Sequence, residues 1–150
     1  ATIEDNHITG FDGIGIQVWL VPGTDPLIRG NTIEGGDTGI HVLNDARPMI
    51  VDNDLTANGT AIGLTRSSPM IEANRIHAND RGIGMGQGSP MLRDNVISEN
   101  AIGIDLARGA TPTLSGNTFC LNGYDINLRA GAEPPATDGN YGCPAPENEP

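Results

Sequence analysis

Apolar residues recur along this chain at four fixed places in a unit of 21 or 22 residues. The first two places each hold one recurring apolar residue in a short segment, and the last two are two residues apart. The recurring residues are Ile28, Ile50, Ile71, Leu92 and Leu114; Ile33, Leu55, Ile76, Ile97 and Phe119; Ile40, Ile62, Ile83, Ile104 and Ile126; and Val42, Leu64, Met85, Leu106 and Leu128. Three short alternating segments per unit, none as long as a helix requires, predict three strands per unit.

Prolines and asparagines keep the same register. Proline recurs at positions 26, 48, 69, 90 and 112, and five residues after each comes an asparagine: Asn31, Asn53, Asn74, Asn95 and Asn117. A degenerate earlier copy precedes them and makes six units. A unit of this kind cannot bury its apolar side alone, so we expect the units to stack as rungs of a solenoid.

The asparagine column predicts both a corner and a ladder. A sharp corner between strands needs a residue that tolerates the left-handed region, and asparagine is among the few non-glycine residues that do. Stacked side-chain amides can also hydrogen-bond from rung to rung. We therefore expect the five asparagines to form a structural ladder at a tight corner.

The unit Pro-x-Ile-x-x-Asn-x-Ile-x-x-Asn-x-x-Gly-Ile-x-Leu resembles the repeats of right-handed parallel β-helices of the pectate-lyase-like superfamily, also described as carbohydrate-binding and sugar-hydrolase repeats. The resemblance covers residues 1 to about 130 and implies an all-β solenoid of about six rungs. By analogy, Gly-Ile-x-Leu forms the first sheet, Pro-x-Ile the second, and the asparagine leads to the third. Such folds host lyases, hydrolases, epimerases, adhesins and inert spacers, so the resemblance does not fix an activity.

The predicted organisation is a β-helix over residues 1–129 and an irregular Pro/Gly-rich tail, without helix or strand, over residues 130–150. Cys120 lies in the last rung and Cys143 in the tail. We expect a disulfide between them that tethers the tail, which implies an oxidising compartment: extracellular, cell-surface or periplasmic. Two free thiols or a metal pair are the alternatives.

The net charge of −11 argues against nucleic acid as a partner, because phosphates require a basic face. It also opposes attraction to acidic polysaccharides unless a cation intervenes. No apolar run approaches membrane-spanning length, so membrane insertion is not expected. The sequence starts inside a rung, and an open end exposes strand edges; we expect further rungs of a longer chain, or self-association.

The resemblance implies that a polysaccharide lies along the outer face of the first sheet. The expected outward positions there are Gln17, His41, Gly63, Gly84, Asp105 and Asn127, flanked by Gly39, Ala61, Gly82, Gly103 and Asp125 on one side and by Leu43, Thr65, Gly86, Ala107 and Arg129 on the other. A lyase of this family would use Asp105 and Asp125 as calcium ligands and Arg129 or Arg108 as base. Surface charge on a solvated sheet is the favoured reading of these residues, and the catalytic motifs of the polygalacturonase-like and epimerase-like relatives are missing.

Four residues are the candidates for ligand binding: Trp19, His41, Asp105 and Asp125. Trp19, beside Leu20, could offer an aromatic platform to a sugar ring, although covering the end of the core is the commoner role. His41 is three rungs from Asp105, roughly 14 Å, which is too far to share a proton.

Met49, Met70 and Met91 form one more column beside the prolines. Thioethers can bind soft copper, but we expect this column to fill a corner of the core.

The leading hypothesis for function is a secreted or surface module that binds carbohydrate without catalysis and without a required cofactor, with calcium allowed. The competing classes are the core of a polysaccharide lyase, epimerase or hydrolase, and a structural or self-associating solenoid.

Overall fold

The computed structural model of the chain describes residues 1–19 and 25–144. Within them lie nineteen strands and no helix: β1 (Thr2–Glu4), β2 (His7–Thr9), β3 (Ile14–Trp19), β4 (Leu27–Arg29), β5 (Thr32–Glu34), β6 (Thr38–Leu43), β7 (Met49–Val51), β8 (Asp54–Thr56), β9 (Thr60–Thr65), β10 (Met70–Glu72), β11 (Arg75–His77), β12 (Arg81–Met85), β13 (Met91–Arg93), β14 (Val96–Ser98), β15 (Ile102–Leu106), β16 (Thr113–Ser115), β17 (Thr118–Cys120), β18 (Tyr124–Leu128) and β19 (Ala136–Asp138). Consequently the described chain contains no helix that could cross a membrane.

Every third strand pairs in parallel, which gives three sheets and confirms the predicted solenoid. The first sheet has the order β18-β15-β12-β9-β6-β3, the second β1-β4-β7-β10-β13-β16-β19, and the third β17-β14-β11-β8-β5-β2. Ile71 stands directly between Ile50 and Leu92, so equivalent residues of successive rungs are neighbours. Six complete rungs are formed, with three strands in each.

The predicted apolar columns line the interior of the solenoid. Ile28, Ile50, Ile71, Ile76 and Leu92 are fully shielded from water, as are most of their column neighbours. Each rung thus contributes its aliphatic side chains to one continuous core, and burial of this kind is worth about 1.5–3 kcal/mol for each large side chain.

The asparagines of the predicted ladder are buried and bonded from rung to rung. Asn74 Nδ2 donates to Oδ1 of Asn95 at 3.0 Å and to the carbonyl of Ile50 at 2.8 Å, while its own Oδ1 accepts from the backbone N and the Nδ2 of Asn53. A second ladder, Asn58–Asn79–Asn100–Asn122, forms at the next corner in the same way. The amides therefore satisfy backbone carbonyls that the corners remove from the sheets.

The expected left-handed conformation falls on the residue before the asparagine, which corrects the prediction for the corner. Ala73, Asp52 and Asp94 have φ values of 55°, 54° and 55°, and Gly30 and Gly116 occupy the same place. A left-handed residue there turns the chain, and the following asparagine can then point its amide into the core.

The tail contains a strand, so the prediction of a segment without strand is wrong. β19 pairs with β16, and Asn140 extends the ladder by accepting from Asn117 Nδ2 at 3.0 Å. The disulfide between Cys120 and Cys143 is formed, with a Cα–Cα distance of 4.6 Å. The tail therefore begins a seventh rung, which the disulfide holds against the sixth.

The methionine column faces outward, which contradicts the expected core position. Met49 and Met91 are 45% and 44% exposed, and Met70 lies between them in register. The physical reason is the alternation of a strand: Ile50, Ile71 and Leu92 point inward, so the residue before each must point out.

Candidate functional site

A groove of about 250 Å³ lies on the outer face of the first sheet, where the resemblance placed a ligand. It is lined by Thr38, His41, Thr60, Gly63, Leu64, Thr65, Arg81, Gly84, Met85, Gly86, Asp105, Ala107 and Arg129. Gly63 and Gly84 are neighbours in the central outward column. The groove floor is bare backbone at Gly63, whereas the side chain of Arg81 covers the backbone of Gly84. Side chains with hydroxyl, imidazole and guanidinium groups surround this floor.

One flank of the face differs from the expectation. A Cβ at Gly39, Gly82 or Gly103 would lie only 2.5–2.7 Å from a backbone carbonyl oxygen of the next rung, and Ala61, in the same column, is fully buried. This column therefore points inward. Thr38, Thr60 and Arg81, which come one residue earlier, line the groove instead.

Asp105 is the most constrained polar group of the groove, at 3% exposure. Arg129 donates to its Oδ2 from Nε at 3.0 Å and from Nη2 at 2.6 Å, and Asn127 Nδ2 donates to its Oδ1 at 2.9 Å. Burial acts to raise the pKa of Asp105, but the hydrogen bonds from Arg129 and Asn127 and the charges of Arg129 and Arg81 together lower it. The carboxylate is thus ionised at neutral pH and occupied on both oxygens.

Arg81 brings a second guanidinium to the same carboxylate. Its Nε lies 2.9 Å from Asp105 Oδ2, but the N–H does not point at the oxygen and makes no hydrogen bond. The contact is therefore one of charge rather than of directed bonding. Arg81 extends over Gly84 and keeps part of its surface open to the groove. The hydrogen bond with Asp105 raises the pKa of Arg129, so this cation is retained at all accessible pH values.

The structure does not bring Asp105 and Asp125 together. Asp125 accepts from Asn122 Nδ2 at 3.1 Å and lines a different cavity, at the end of the solenoid, with Phe119 and Ile126. Asp105 instead lies beside Asn127. Among residues 1–19 and 25–144, no three His, Cys, Asp or Glu side chains are close enough to hold a metal together. Arg108, the alternative base, does not line the groove.

His41 closes the end of the groove opposite Asp105. Its Nε2 lies 3.1 Å from Oγ1 of Thr65, and burial lowers its pKa, so the ring is neutral at pH 7. Trp19 is 56% exposed and stands beside Leu43 one rung further along. The proposed partner of its platform, Leu20, lies outside the described residues. An aromatic face therefore continues the line of the groove beyond His41.

Sequence reasoning missed Arg81, Thr38 and Thr60 as groove residues. All three share one position of the repeat, immediately before the Gly or Ala that precedes the core isoleucine. Strict inward and outward alternation of side chains along the strand predicts that this position is buried. The following Gly or Ala points inward instead, so the residue before it points outward. The recurrence of glycine and alanine in that column was the sequence signal for this exception.

The family model described as "Right handed beta helix region" matches residues 1–140. Neither a curated protein nor a solved structure matches the chain. The matched region includes all six complete rungs and β19, and its three parallel sheets have the architecture that the family description states. The chain belongs to the right-handed β-helix family.

Proposed function

We propose that this chain binds an oligosaccharide in the groove of the first sheet and does not itself catalyse a reaction on it. The observation that carries the proposal is the bare floor at Gly63, enclosed by hydrogen-bonding side chains. A sugar ring has an apolar face and a rim of hydroxyls. The glycine floor lets the ring approach the backbone closely, and Thr60, Thr65 and Arg81 offer partners to the hydroxyls.

The length of the face suits a chain of several sugar units. Trp19 stands in the first rung and Arg129 in the sixth, and strands are about 4.8 Å apart, so roughly 24 Å separate these rungs. The exposed indole of Trp19 supplies a stacking surface at one end. The guanidinium groups of Arg81 and Arg129 supply donors at the other.

The state of Asp105 favours binding over catalysis. A general acid must carry a proton, but the lowered pKa keeps this carboxyl ionised. A general base or nucleophile must reach the substrate, and this carboxylate is only 3% exposed and is turned towards Arg129 and Asn127 by hydrogen bonds to both oxygens. Asp105 is therefore assigned a positioning role: it fixes the guanidinium of Arg129 at the edge of the groove.

The disulfide supports placement in an oxidising compartment. Cys120 and Cys143 are bonded, and such bonds persist in secreted and periplasmic proteins. A glycan of a cell surface or extracellular matrix is accessible there.

Calorimetric titration with neutral and uronic-acid oligosaccharides, with and without calcium, tests the proposal. Saturable heat without shortened or unsaturated products supports a binding module. Turnover that disappears in Asp105→Ala or Arg129→Ala would refute the non-catalytic binding module and show that the chain is an enzyme. Absence of both heat and products refutes carbohydrate binding and leaves a structural solenoid.

Gly63→Val makes the test specific to the groove. A Cβ at Gly63 meets His41 and Thr38 at 3.5 and 3.6 Å, ordinary contact distances, so the valine fits and its methyl groups occupy the floor. We expect binding to be lost while the unfolding transition is kept. Thr56→Val, on the outer face of the third sheet, is the matched control and should bind like the wild type; equal binding by Gly63→Val would place the ligand elsewhere.

A further inference from the structure

The second sheet presents a line of apolar side chains to solvent. The residue before the core residue of each strand points outward, and in the first five rungs these residues are Thr2, Leu27, Met49, Met70 and Met91. Met49 and Met91 are nearly half exposed. Methionine is normally a buried residue, and a contiguous apolar patch on a protein is typical of an interaction surface.

A second outward column runs beside the apolar one and is charged. Its residues in the same five rungs are Glu4, Arg29, Val51, Glu72 and Arg93. Arg29 Nη2 donates to Glu4 Oε2 at 2.6 Å, and Arg93 Nη2 donates to Glu72 Oε1 at 2.9 Å. Two acids and two bases cancel, although the whole chain has a net charge of −11. These two columns therefore add no like-charge repulsion to the approach of a second copy.

The order of the charges is complementary to itself when it is reversed about Val51. From the first rung to the fifth the column reads acid, base, valine, acid, base, and in the opposite direction it reads base, acid, valine, base, acid. A two-fold axis over β7, parallel to the strands, lays a second copy on this face with like columns superposed and the rungs in opposite order. Glu4 of one copy then lies opposite Arg93 of the other, and Arg29 lies opposite Glu72. Complementary charges of this kind select the partner and the register of an interface.

The same axis also matches the apolar column. Met49 lies over Met49 of the second copy, Met70 over Leu27, and Met91 over Thr2. Two sheets that pack face to face with aligned strands are about 10 Å apart, and the flexible side chain of methionine fills such a gap well. The centre of the contact is therefore apolar and its charges are paired.

Other positions of the axis fit less well. A shift by one strand places Arg29 or Glu72 over its own copy, and a shift by half that distance places Arg29 over Arg93 or Glu4 over Glu72. An axis between β10 and β13 again pairs opposite charges, but there Met49 faces Thr113 and Val51 faces Ser115. Apolar side chains thus keep apolar partners at the centre only about the axis over β7.

We propose that the outer face of the second sheet binds a second copy of this chain in an antiparallel two-fold dimer with its axis over β7. Five strands of three residues cover about 24 Å by 10 Å, less than the roughly 800 Å² per partner of a stable complex. Asp5, Asp52 and Asp94, at the corners that follow these strands, add a negative rim. The dimer is therefore weak and in reversible exchange with the monomer. This face is separate from the groove of the first sheet.

Sedimentation of the sugar-free protein from about 10 μM to about 1 mM, the range in which weak complexes assemble, is the first test. We expect the average mass to rise from one chain towards two and no further, because a two-fold contact closes on itself. A monomer mass throughout, or a mass that grows beyond two chains, would overturn the proposal. Neither result depends on whether the groove binds carbohydrate.

Exchange of charges within one ion pair then identifies the face. Glu4→Arg/Arg29→Glu keeps the net charge and an ion pair within the chain, but it places like charges opposite each other in the dimer. We expect its dissociation constant to rise by at least about tenfold, and Glu72→Arg/Arg93→Glu should behave in the same way. Mixed in equal amounts, the two variants are complementary again and should associate like the wild type. Wild-type association by either variant alone, or a mixture that stays monomeric, contradicts the axis over β7.

Met49→Glu provides an independent test at the centre of the contact. The position is nearly half exposed, so the variant should fold, and it brings two carboxylates together on the axis. We expect the dimer to be lost. Thr56→Glu, on the outer face of the third sheet, makes the same change in net charge and should dimerise like the wild type. Equal association by Met49→Glu and Thr56→Glu would exclude this face as the interface.

Discussion

Arg129 holds Asp105 with two hydrogen bonds from one guanidinium group, of 3.0 and 2.6 Å, across two adjacent strands of the first sheet. Charge-assisted bonds of this kind are stronger than neutral ones, and the carboxylate that accepts them is almost fully buried. The pair therefore links the shape of the groove to the ionisation of one carboxyl group.

Asp105 should make stability depend on pH. Its pKa is lower in the folded protein than in the unfolded chain, where it is about 3.9, so its contribution is complete above that value and is lost as the pH falls through and below it. Asp105→Asn removes this contribution. We expect the free energy of unfolding, measured with urea between pH 7 and pH 3, to fall less with pH in the variant.

At pH 7 the same variant should be less stable than the wild type by about 1–3 kcal/mol, because two guanidinium groups lose their carboxylate. Asp80→Asn, at an exposed position, is the matched control. Identical pH profiles for Asp105→Asn and the wild type would show that Asp105 does not carry the effect.

Asn74→Ala should be strongly destabilising because it interrupts the ladder at its centre. The variant leaves the carbonyl of Ile50 and the backbone N of Asn53 without their side-chain partner and removes one acceptor from Asn53 Nδ2. Oδ1 of Asn95 keeps only the bond from the backbone N of residue 74. Unsatisfied buried groups cost about 1–3 kcal/mol each, so we expect a loss of about 3 kcal/mol or more in chemical denaturation.

Asn6→Ala removes the same amide at the exposed start of the ladder and is the control for that experiment. Its effect should be much smaller, since water replaces the lost bonds. Equal losses at both positions would show that burial of the ladder does not determine its contribution.

Ala73→Gly should stabilise the protein. Ala73 has a φ of 55° on an exposed corner, and a left-handed alanine costs about 1 kcal/mol that glycine avoids. We expect a gain of about 0.5–1 kcal/mol in the free energy of unfolding. Ala61→Gly, at a buried strand position with ordinary φ, should instead lose about 1 kcal/mol, and a loss at Ala73 as well would contradict the role assigned to the left-handed corner.

Reduction of the disulfide should release the seventh rung before it affects the others. β19 is exposed along its length, so the segment is held by the tether, one row of strand pairing and the hydrogen bonds of Asn140 and Tyr141 to the sixth rung. Hydrogen exchange with and without reductant should show loss of protection at residues 136–141, with the amides of Ile71 and Ile76 unchanged. Retained protection in residues 136–141 after reduction would show that pairing with β16 is sufficient.

The core could be predicted from the sequence because each of its columns repeats one residue type. Ile50, Ile71 and Leu92 are visible as a period, and stacking explains why the period must be regular. β19 escaped prediction because Ala136 and Thr137 replace the Met and Leu of the earlier rungs, so no apolar signal remains. Only the pair Gly139-Asn140, equivalent to Gly116-Asn117, marks the rung.

The site was predicted less well than the fold. Asp105 and His41 lie on the outer face of the first sheet as predicted, because each follows the core isoleucine of its rung; their role in ligand binding stays a prediction. The position of Arg81 depends on where the strand abandons strict alternation, and Asp125 was misplaced for the same reason. The contact between Arg81 and Asp105 joins residues that are 24 positions apart, on neighbouring rungs. The residue pattern within one repeat does not show which side chains are long enough to contact the next rung.

The two asparagine ladders also determine where the chain can change its length. Nine residues separate Asn53 from Ile62 and Asn95 from Ile104, but seven separate Ile62 from Pro69 and eight separate Ile104 from Pro112. From the second rung to the sixth the interval that contains the ladder corners is constant, and the variation falls in the connection from the first sheet to the second; the first rung has one extra residue between Asn6 and Ile16. Because these connections border the groove, a longer loop inserted there would change the rim of the groove while every rung keeps its register.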